Sequence, residues 1–242
     1  MAYESDVQAV ILAGGPGLRL RPLTDDKPKA MVPIKGTPIV EYQLQTLEKQ
    51  GVNKVIFACG YKWDKINAQF GDHYNNLKIA YCVEDEALGT AGSLKKVIRD
   101  FNLTSQDEDI IVSNGDVITE FNLKTMIDWH NTTHPIVTIL IVPYKSPYGV
   151  IEIDKLRTVR KFEEKPVFKD VWINGGYYII NPKRIINYLP ETGDIEQETF
   201  PKLVTYGEIQ AYPHYGFWKS IDTIKDLQAV EKELATQPIG ET

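Results

Sequence analysis

Four cationic side chains, Arg19, Arg21, Lys27 and Lys29, fall within eleven residues of one another. Pro22 and Pro28 interrupt the run, so it cannot form a continuous helix face and is expected on a loop. Immediately before it stands Gly14-Gly15-Pro16-Gly17, at the exit of a short apolar stretch. Glycines let a backbone come close to a ligand and turn its N–H groups toward phosphate oxygens. Two readings follow: a solvated basic loop behind a tight turn, or a clamp on a polyphosphate. In a clamp, arginine supplies forked donors and lysine a point charge. Two sharper phosphate motifs fail here. A P-loop needs Gly-Lys-Ser/Thr at its end, which is absent. The dinucleotide fingerprint needs a third glycine, where Leu20 stands, and an acid after the second strand, which instead ends Ala58-Cys59-Gly60. A nicotinamide oxidoreductase is therefore disfavoured.

The loop has to be held by something. Val7–Leu12 is short, apolar and β-branched, as a buried strand should be. Strand-like segments recur at 52–59, 77–83 and 110–113, separated by helical spacing at 38–50, 62–70, 90–99 and 123–131. Thr37 is expected to cap the first helix, Gly51 to stop it, and Asn122 to cap the fourth. This alternation predicts an α/β fold: a Rossmann-like, mostly parallel sheet with helices on both faces, its ligands at the carboxyl ends of the strands. After Pro135 strands crowd together at 136–142, 149–153, 158–163 and 172–180. Helices are expected at 182–188, 195–206 and 223–234, and a strand at 208–212. The chain thus reads as one domain, with a first half over 1–134 and a β-rich second half over 135–242.

Composition narrows the partners. With 33 acidic against 27 basic side chains, the net charge is −6, unlike the basic face of a nucleic-acid binder. Cys59 and Cys82 are too few for a disulfide framework or zinc site, and are expected as buried reduced thiols. Residues 1–6 are polar and lack the apolar core of a secretion signal. No apolar run reaches membrane-spanning length. A cytoplasmic protein is the expectation, with a polar tail at its end.

Beyond these features the sequence resembles the NDP-sugar pyrophosphorylases, or sugar-1-phosphate nucleotidyltransferases. The resemblance is carried by Leu12-Ala13-Gly14-Gly15-Pro16-Gly17-Leu18-Arg19-Leu20-Arg21-Pro22 and Lys27-Pro28-Lys29. It continues through Glu84 to Gly92, Asn114-Gly115-Asp116, Tyr148-Gly149-Val150, Phe162-Glu163-Glu164-Lys165-Pro166, Asn174-Gly175-Gly176 and Gly216-Phe217-Trp218. Leu18 and Ala30 depart from the usual threonine and proline without removing a charge. The resemblance implies that Arg19 neutralises the NTP phosphates and that Lys29 bridges the α-phosphate and the sugar phosphate. It implies Asp116 as a Mg²⁺ ligand, a role that suits a hard carboxylate; the bland alternative is a turn residue after Gly115. For the second metal carboxylate it points to Asp222, whose alternative is the N-cap of the last helix. Leu12, Ala13, Gly14, Gly15, Gly17, Glu84, Gly89 and Thr90 fall at nucleotide-binding positions. Asn114, Gly149, Glu164, Lys165 and Asn174 fall at sugar-phosphate positions. Gly92 and Ser93 are expected to serve a helix start. Adjacent Glu164 and Lys165 can face one pocket only if their strand ends or bends there.

The implied reaction joins a nucleoside monophosphate from an NTP to a sugar 1-phosphate, with Mg²⁺ as cofactor and pyrophosphate as product. The segment 88–92 resembles guanylyltransferases of mannose- or heptose-type sugars; the stretch from Trp218, and 59–62, resemble glucose-1-phosphate cytidylyltransferases. GTP and a manno-type sugar phosphate are the preferred pair, with cytidylyl, uridylyl or thymidylyl transfer as alternatives. A catalytically silent regulatory or sugar-nucleotide-binding relative is the rival from another class, opposed by the presence of Arg19, Lys29 and Asp116. The partners expected are the two phosphorylated substrates, with neither nucleic acid nor membrane; a homo-oligomer is left open.

Overall fold

The computed structural model describes residues 7–235; the polar stretch 1–6 and the tail after 235 lie outside the described residues. In chain order come β1 (Gln8–Leu12), β2 (Pro33–Ile34), β3 (Thr37–Pro38), α1 (Ile39–Lys49), β4 (Lys54–Cys59) and α2 (Trp63–Phe70). Then follow β5 (His73–Tyr74), β6 (Leu77–Val83), α3 (Gly89–Asp100), β7 (Ile110–Asn114), β8 (Val117–Thr119) and α4 (Leu123–Thr133). The remainder holds β9 (Val137–Lys145), β10 (Val150–Ile153), β11 (Val159–Glu163), β12 (Val167–Ile180) and α5 (Pro182–Ile185). A π-helical stretch, Ile195–Thr199, then leads into α6 (Phe200–Thr205), β13 (Ile209–Pro213), β14 (Trp218–Ser220) and α7 (Ile224–Glu233).

Eight strands form one sheet in the order β13-β9-β12-β7-β1-β4-β6-β5. The pairs β7–β1, β1–β4, β4–β6 and β13–β9 are parallel, and β12 runs antiparallel to both neighbours. Strands from both sequence halves share this sheet, so the boundary near 134 is not a seam in it. Alternation along the strands sorts the core into two layers. Ala9, Ile11, Val55 and Phe57 pack with Leu44 and Leu47 of α1, Ile66 of α2 and Met126 of α4. Val10, Ile56 and Ala58 pack on the other face with Leu94, Val97 and Ile98 of α3, Ile185 of α5 and Leu203 of α6. Helices therefore cover both faces, as a parallel sheet requires.

From β1 the chain crosses through α1 to β4 on one side, and it returns through α3 to β7 on the other. The gap between the carboxyl ends of β1 and β7 is thus a topological switch point, where such sheets bind ligands. A third apolar cluster sits beside it. Leu20, Val32, Ile34, Ile118, Ile221, Leu227 and Val230 join the segment after the glycine loop to β8, β14 and α7. Each fully buried Leu or Ile there contributes roughly 1.5–3 kcal/mol.

Local signals fared unevenly. Asn122 caps α4 by accepting from the Thr125 N–H. Gly51 has φ +84, and Gly51 and Val52 N–H donate to Glu48 and Leu47 carbonyls, a Schellman ending for α1. Thr37 is not the cap expected of it: it pairs with Ile34 in a two-residue ladder, leaving Pro38 at the N-cap with no side-chain bond. The helix expected over 182–188 ends at Ile185, and the one over 195–206 opens as a π-helix. Among the described residues no helix is long and apolar enough to cross a membrane.

Candidate active site

The exits of β1 and β7 open on a cavity of about 630 Å³. One end is built by three close main-chain approaches. Gly17 has φ +63, and a Cβ there would stand 2.9 Å from Lys29 Cβ. Glycine therefore lets the loop fold back onto Lys29, whose N–H donates to the Gly15 carbonyl at 3.3 Å. The buried Thr24 hydroxyl donates to the Gly17 carbonyl at 2.9 Å and holds the fold-back. At β7 the Gly115 N–H donates to the Leu12 carbonyl, and a Cβ would approach that oxygen to 2.7 Å. Only glycine lets the two strand exits meet, and this sets Asp116 beside the loop. Finally, β14 pairs with β8 (Ser220 opposite Val117), and the Ile221 N–H donates to the Asp116 carbonyl at 3.0 Å. Ile221 is fully buried, so Asp222 emerges next to Asp116.

The charges then converge. Lys29 Nζ lies 2.5 Å from Asp116 Oδ2 and 2.7 Å from Asp222 Oδ1. Arg19 Nη2 lies 2.7 Å from the same Asp222 oxygen, and the Ser220 hydroxyl donates to the other at 3.3 Å. Burial alone would raise the Asp222 carboxyl, but the Lys29 hydrogen bond and the Lys29 and Arg19 charges outweigh it and hold its pKa low. Asp222 does not cap α7. Thr223 does, in a capping box with Asp226, which leaves the neighbouring carboxylate to the cavity. Arg21 and Lys27 stand apart from the clamp suggested for them: they pair with Asp25 and Asp26 and do not line the cavity.

Leu12, Ala13, Gly14, Gly15, Gly17, Asn114, Glu84, Gly89 and Thr90 all line the cavity with Arg19, Lys29, Asp116 and Asp222. Beside Gly14 in this lining, Glu84 is buried. Its Oε2 accepts from the Leu88 N–H at 3.2 Å, while Oε1 has no hydrogen-bond partner among the described residues. The Thr90 hydroxyl is engaged, donating to Glu196 and accepting from the Ile195 N–H. Gly92 and Ser93 fall at the start of α3, as expected: a Cβ on Gly92 would come within 2.4 Å of the Glu191 carbonyl, and the Ser93 hydroxyl donates to the Gly89 carbonyl at 2.6 Å. Ser93, also within α3, lines the cavity. Asp194 lines it too and was not foreseen. Only packing brings it there, with its Oδ1 3.1 Å from where a Gly89 Cβ would be.

Gly149, Glu164, Lys165 and Asn174 are not among the lining residues. The bend required of the Glu164–Lys165 pair is present: β11 ends at Glu163 and Lys165 has φ +50. Both side chains are exposed, with Lys165 Nζ 3.5 Å from Glu164 Oε1. Asn174 is spent within β12, donating to the Tyr178 hydroxyl and accepting from the Gly176 N–H. None of the four histidines or two cysteines lines the cavity. Both cysteines are free and buried, and burial pushes Cys59 up to about 12 and Cys82 up to about 11. Those values keep both thiols protonated and non-nucleophilic at neutral pH.

The carboxylates of Asp116 and Asp222 are hard oxygen donors of the kind that could hold a Mg²⁺. Among the described residues no group of three or more His, Cys, Asp or Glu forms a larger metal cage.

Residues 8–237 match the family model described as nucleotidyl transferase. The chain is 33% identical over 232 residues to the D-glycero-alpha-D-manno-heptose 1-phosphate guanylyltransferase of Aneurinibacillus thermoaerophilus, covering 94% of this chain and 98% of that one. It is 31% identical over 245 residues to a probable glucose-1-phosphate cytidylyltransferase of Bacillus subtilis, covering 93% and 95%. Against the mannose-1-phosphate guanyltransferase of Debaryomyces hansenii it is 35% identical over 233 residues, 91% of this chain, but it spans only 62% of that relative's length. In three dimensions it resembles HddC of Yersinia pseudotuberculosis, solved with GMP-PN, with a TM-score of 0.73, 28% identity and coverage of 94% and 99%.

Proposed function

The chain belongs to the nucleotidyl transferase family, and on that premise we propose that it transfers a nucleoside monophosphate from an NTP to a sugar 1-phosphate, releasing pyrophosphate. The observation that carries this is the meeting of Arg19, Lys29, Asp116 and Asp222 at one end of a cavity large enough for a nucleotide.

A sugar phosphate has a second pKa of about 6, so at neutral pH it is mostly a dianion and needs no general base. Its oxygen attacks the α-phosphorus in line, and the bond from that phosphorus to the bridging oxygen breaks. The electron pair leaves on pyrophosphate. The obstacle is repulsion between two anions. Lys29, placed between the loop and Asp116, can hold the α-phosphate and the incoming phosphate together. Arg19, at the mouth, can offset charge on the departing pyrophosphate. Asp116 and Asp222 would hold a Mg²⁺, which when bound neutralises charge on phosphate oxygens.

The preference for GTP rests on Glu84. A carboxylate only accepts hydrogen bonds; Glu84 lines the cavity, and its Oε1, shielded and without a donor among the described residues, would face a base once the side chain turns. Guanine offers adjacent N1–H and N2–H donors. Uracil and thymine offer one N–H between two carbonyls, and cytosine an amino group beside a bare ring nitrogen. The names of the guanylyltransferase relatives support a manno-type sugar phosphate, and the cytidylyltransferase relative keeps CTP with glucose 1-phosphate as the second reading. A silent homologue is disfavoured because every charged group of the scheme is in place. Pyrophosphate release measured across a matrix of NTPs and sugar 1-phosphates decides. GTP with a manno-sugar phosphate should give the highest kcat/KM, and Glu84→Gln should erode the preference for GTP. No release with any pair would reject the reading.

A further inference from the structure

Lys29 occupies the place a divalent cation would need. Its ammonium touches one oxygen of Asp116 and one of Asp222, and Arg19 shares the second carboxylate. Two positive and two negative charges thereby cancel, with the Asp116 and Asp222 side chains only 25% and 34% exposed. Two partly buried carboxylates this close repel each other, and a cation between them removes that cost.

The base of Lys29 is fixed, since its N–H bonds Gly15 and its Cβ lies against Gly17. Its head rides on a flexible four-carbon stem and can leave while the stem stays. All four charged groups, Lys29, Arg19, Asp116 and Asp222, also line the space a triphosphate would enter. One ammonium cannot neutralise both the carboxylate pair and the phosphates.

Building on the nucleotidyl-transfer reading, we infer that Lys29 is the resident counter-ion of the metal site. In the free enzyme it holds Asp116 and Asp222 together and keeps divalent ions out. The NTP phosphates draw it away and open the pair to Mg²⁺. A tethered ammonium competes at high effective concentration, so a divalent ion alone binds the free protein weakly. The exchange makes metal and nucleotide binding mutually reinforcing, and by linkage the factor is the same in both directions.

The test titrates Mn²⁺ alone, followed by the loss of the free-ion paramagnetic resonance signal. Lys29→Met should bind Mn²⁺ tighter than wild type by about tenfold or more, the scale of one unit charge at contact in a partly screened site. Lys29→Arg, which keeps the charge, should stay weak, and adding Asp116→Asn to Lys29→Met should abolish the gain. Equal Mn²⁺ affinity in wild type and Lys29→Met, with both melting cooperatively, overturns the inference. So does a gain that survives Asp116→Asn. Calorimetric binding of GTP to wild type, with and without Mn²⁺, is read separately. Tighter GTP binding with Mn²⁺ supports the exchange and equal binding contradicts it. Failure of every NTP to bind while the Mn²⁺ differences stand would count against nucleotidyl transfer and not against the counter-ion role.

Discussion

Two regions of this protein, the charged end of the cavity and the arm formed by β10 and β11, are assembled in different ways. At the exits of β1 and β7, main-chain contacts position Asp116, Lys29 and Asp222: Gly115 on Leu12, Lys29 on Gly15, Ile221 on Asp116. The side chains arrive already paired. The arm carrying Gly149, Glu164 and Lys165 is a separate two-stranded sheet, β10 with β11. Ile151, Ile153, Val159 and Phe162 on it are all more than half exposed. A lone hairpin has little stability of its own. The charged cluster is thus preassembled on fixed backbone, whereas Gly149, Glu164 and Lys165, proposed for the sugar phosphate, sit on an exposed hairpin with little support.

That contrast can be broken, most sharply at Lys29. Lys29→Ala is expected to lower kcat/KM for pyrophosphate release by about a thousandfold while the protein still unfolds cooperatively, at a lower melting temperature because Asp116 and Asp222 lose their shared cation. An equal loss in kcat for Glu164→Ala would erase the distinction between the two regions. Next come two glycines. Gly115→Ala pushes a methyl against the backbone oxygen of Leu12, which should cost about 1–3 kcal/mol in denaturant unfolding and displace Asp116. Gly149→Ala meets only the ends of the Phe162 and Glu164 side chains, so its stability cost should stay within about 0.5 kcal/mol. Its effect should appear in KM for the sugar phosphate. Third, Lys165→Met should raise that KM about tenfold, the worth of one charged hydrogen bond, and leave calorimetric NTP binding unchanged.

The smallest effect concerns acid. The Asp222 carboxyl is held low in the folded protein. Its contribution to stability is therefore complete above the unfolded carboxyl value, about 3.9. It is lost as pH falls through the lower folded value. The melting-temperature advantage of wild type over Asp222→Asn should be present at neutral pH and shrink below about pH 4. A gap that is constant with pH would contradict the pairing with Lys29 and Arg19.

The phosphate end was legible because its signals are local. A glycine loop after a buried strand and four cations behind it read out of neighbouring residues, while the resemblance singled out Arg19, Lys29 and Asp116; Arg21 and Lys27 pair with Asp25 and Asp26 instead. Asp222 read two ways, as cap or as ligand, and a shift of one residue separates them: Thr223 takes the cap. Thr37 misled because its pairing with Ile34 draws it away from α1. Asp194 left no local mark, since its place in the cavity comes from the π-helical stretch packing over Gly89. The sugar-side positions followed from resemblance: Asn114 lines the cavity, Asn174 is bonded within β12, and Gly149, Glu164 and Lys165 depend on the pose of a whole arm, which no short pattern encodes.

The most direct test of the central claim is a crystal structure with a non-hydrolysable GTP analogue and Mg²⁺. The triphosphate is expected on Arg19 and Lys29, the metal on Asp116 and Asp222, and the base against Glu84. A nucleotide bound elsewhere, with Lys29 still on both carboxylates, would contradict that claim.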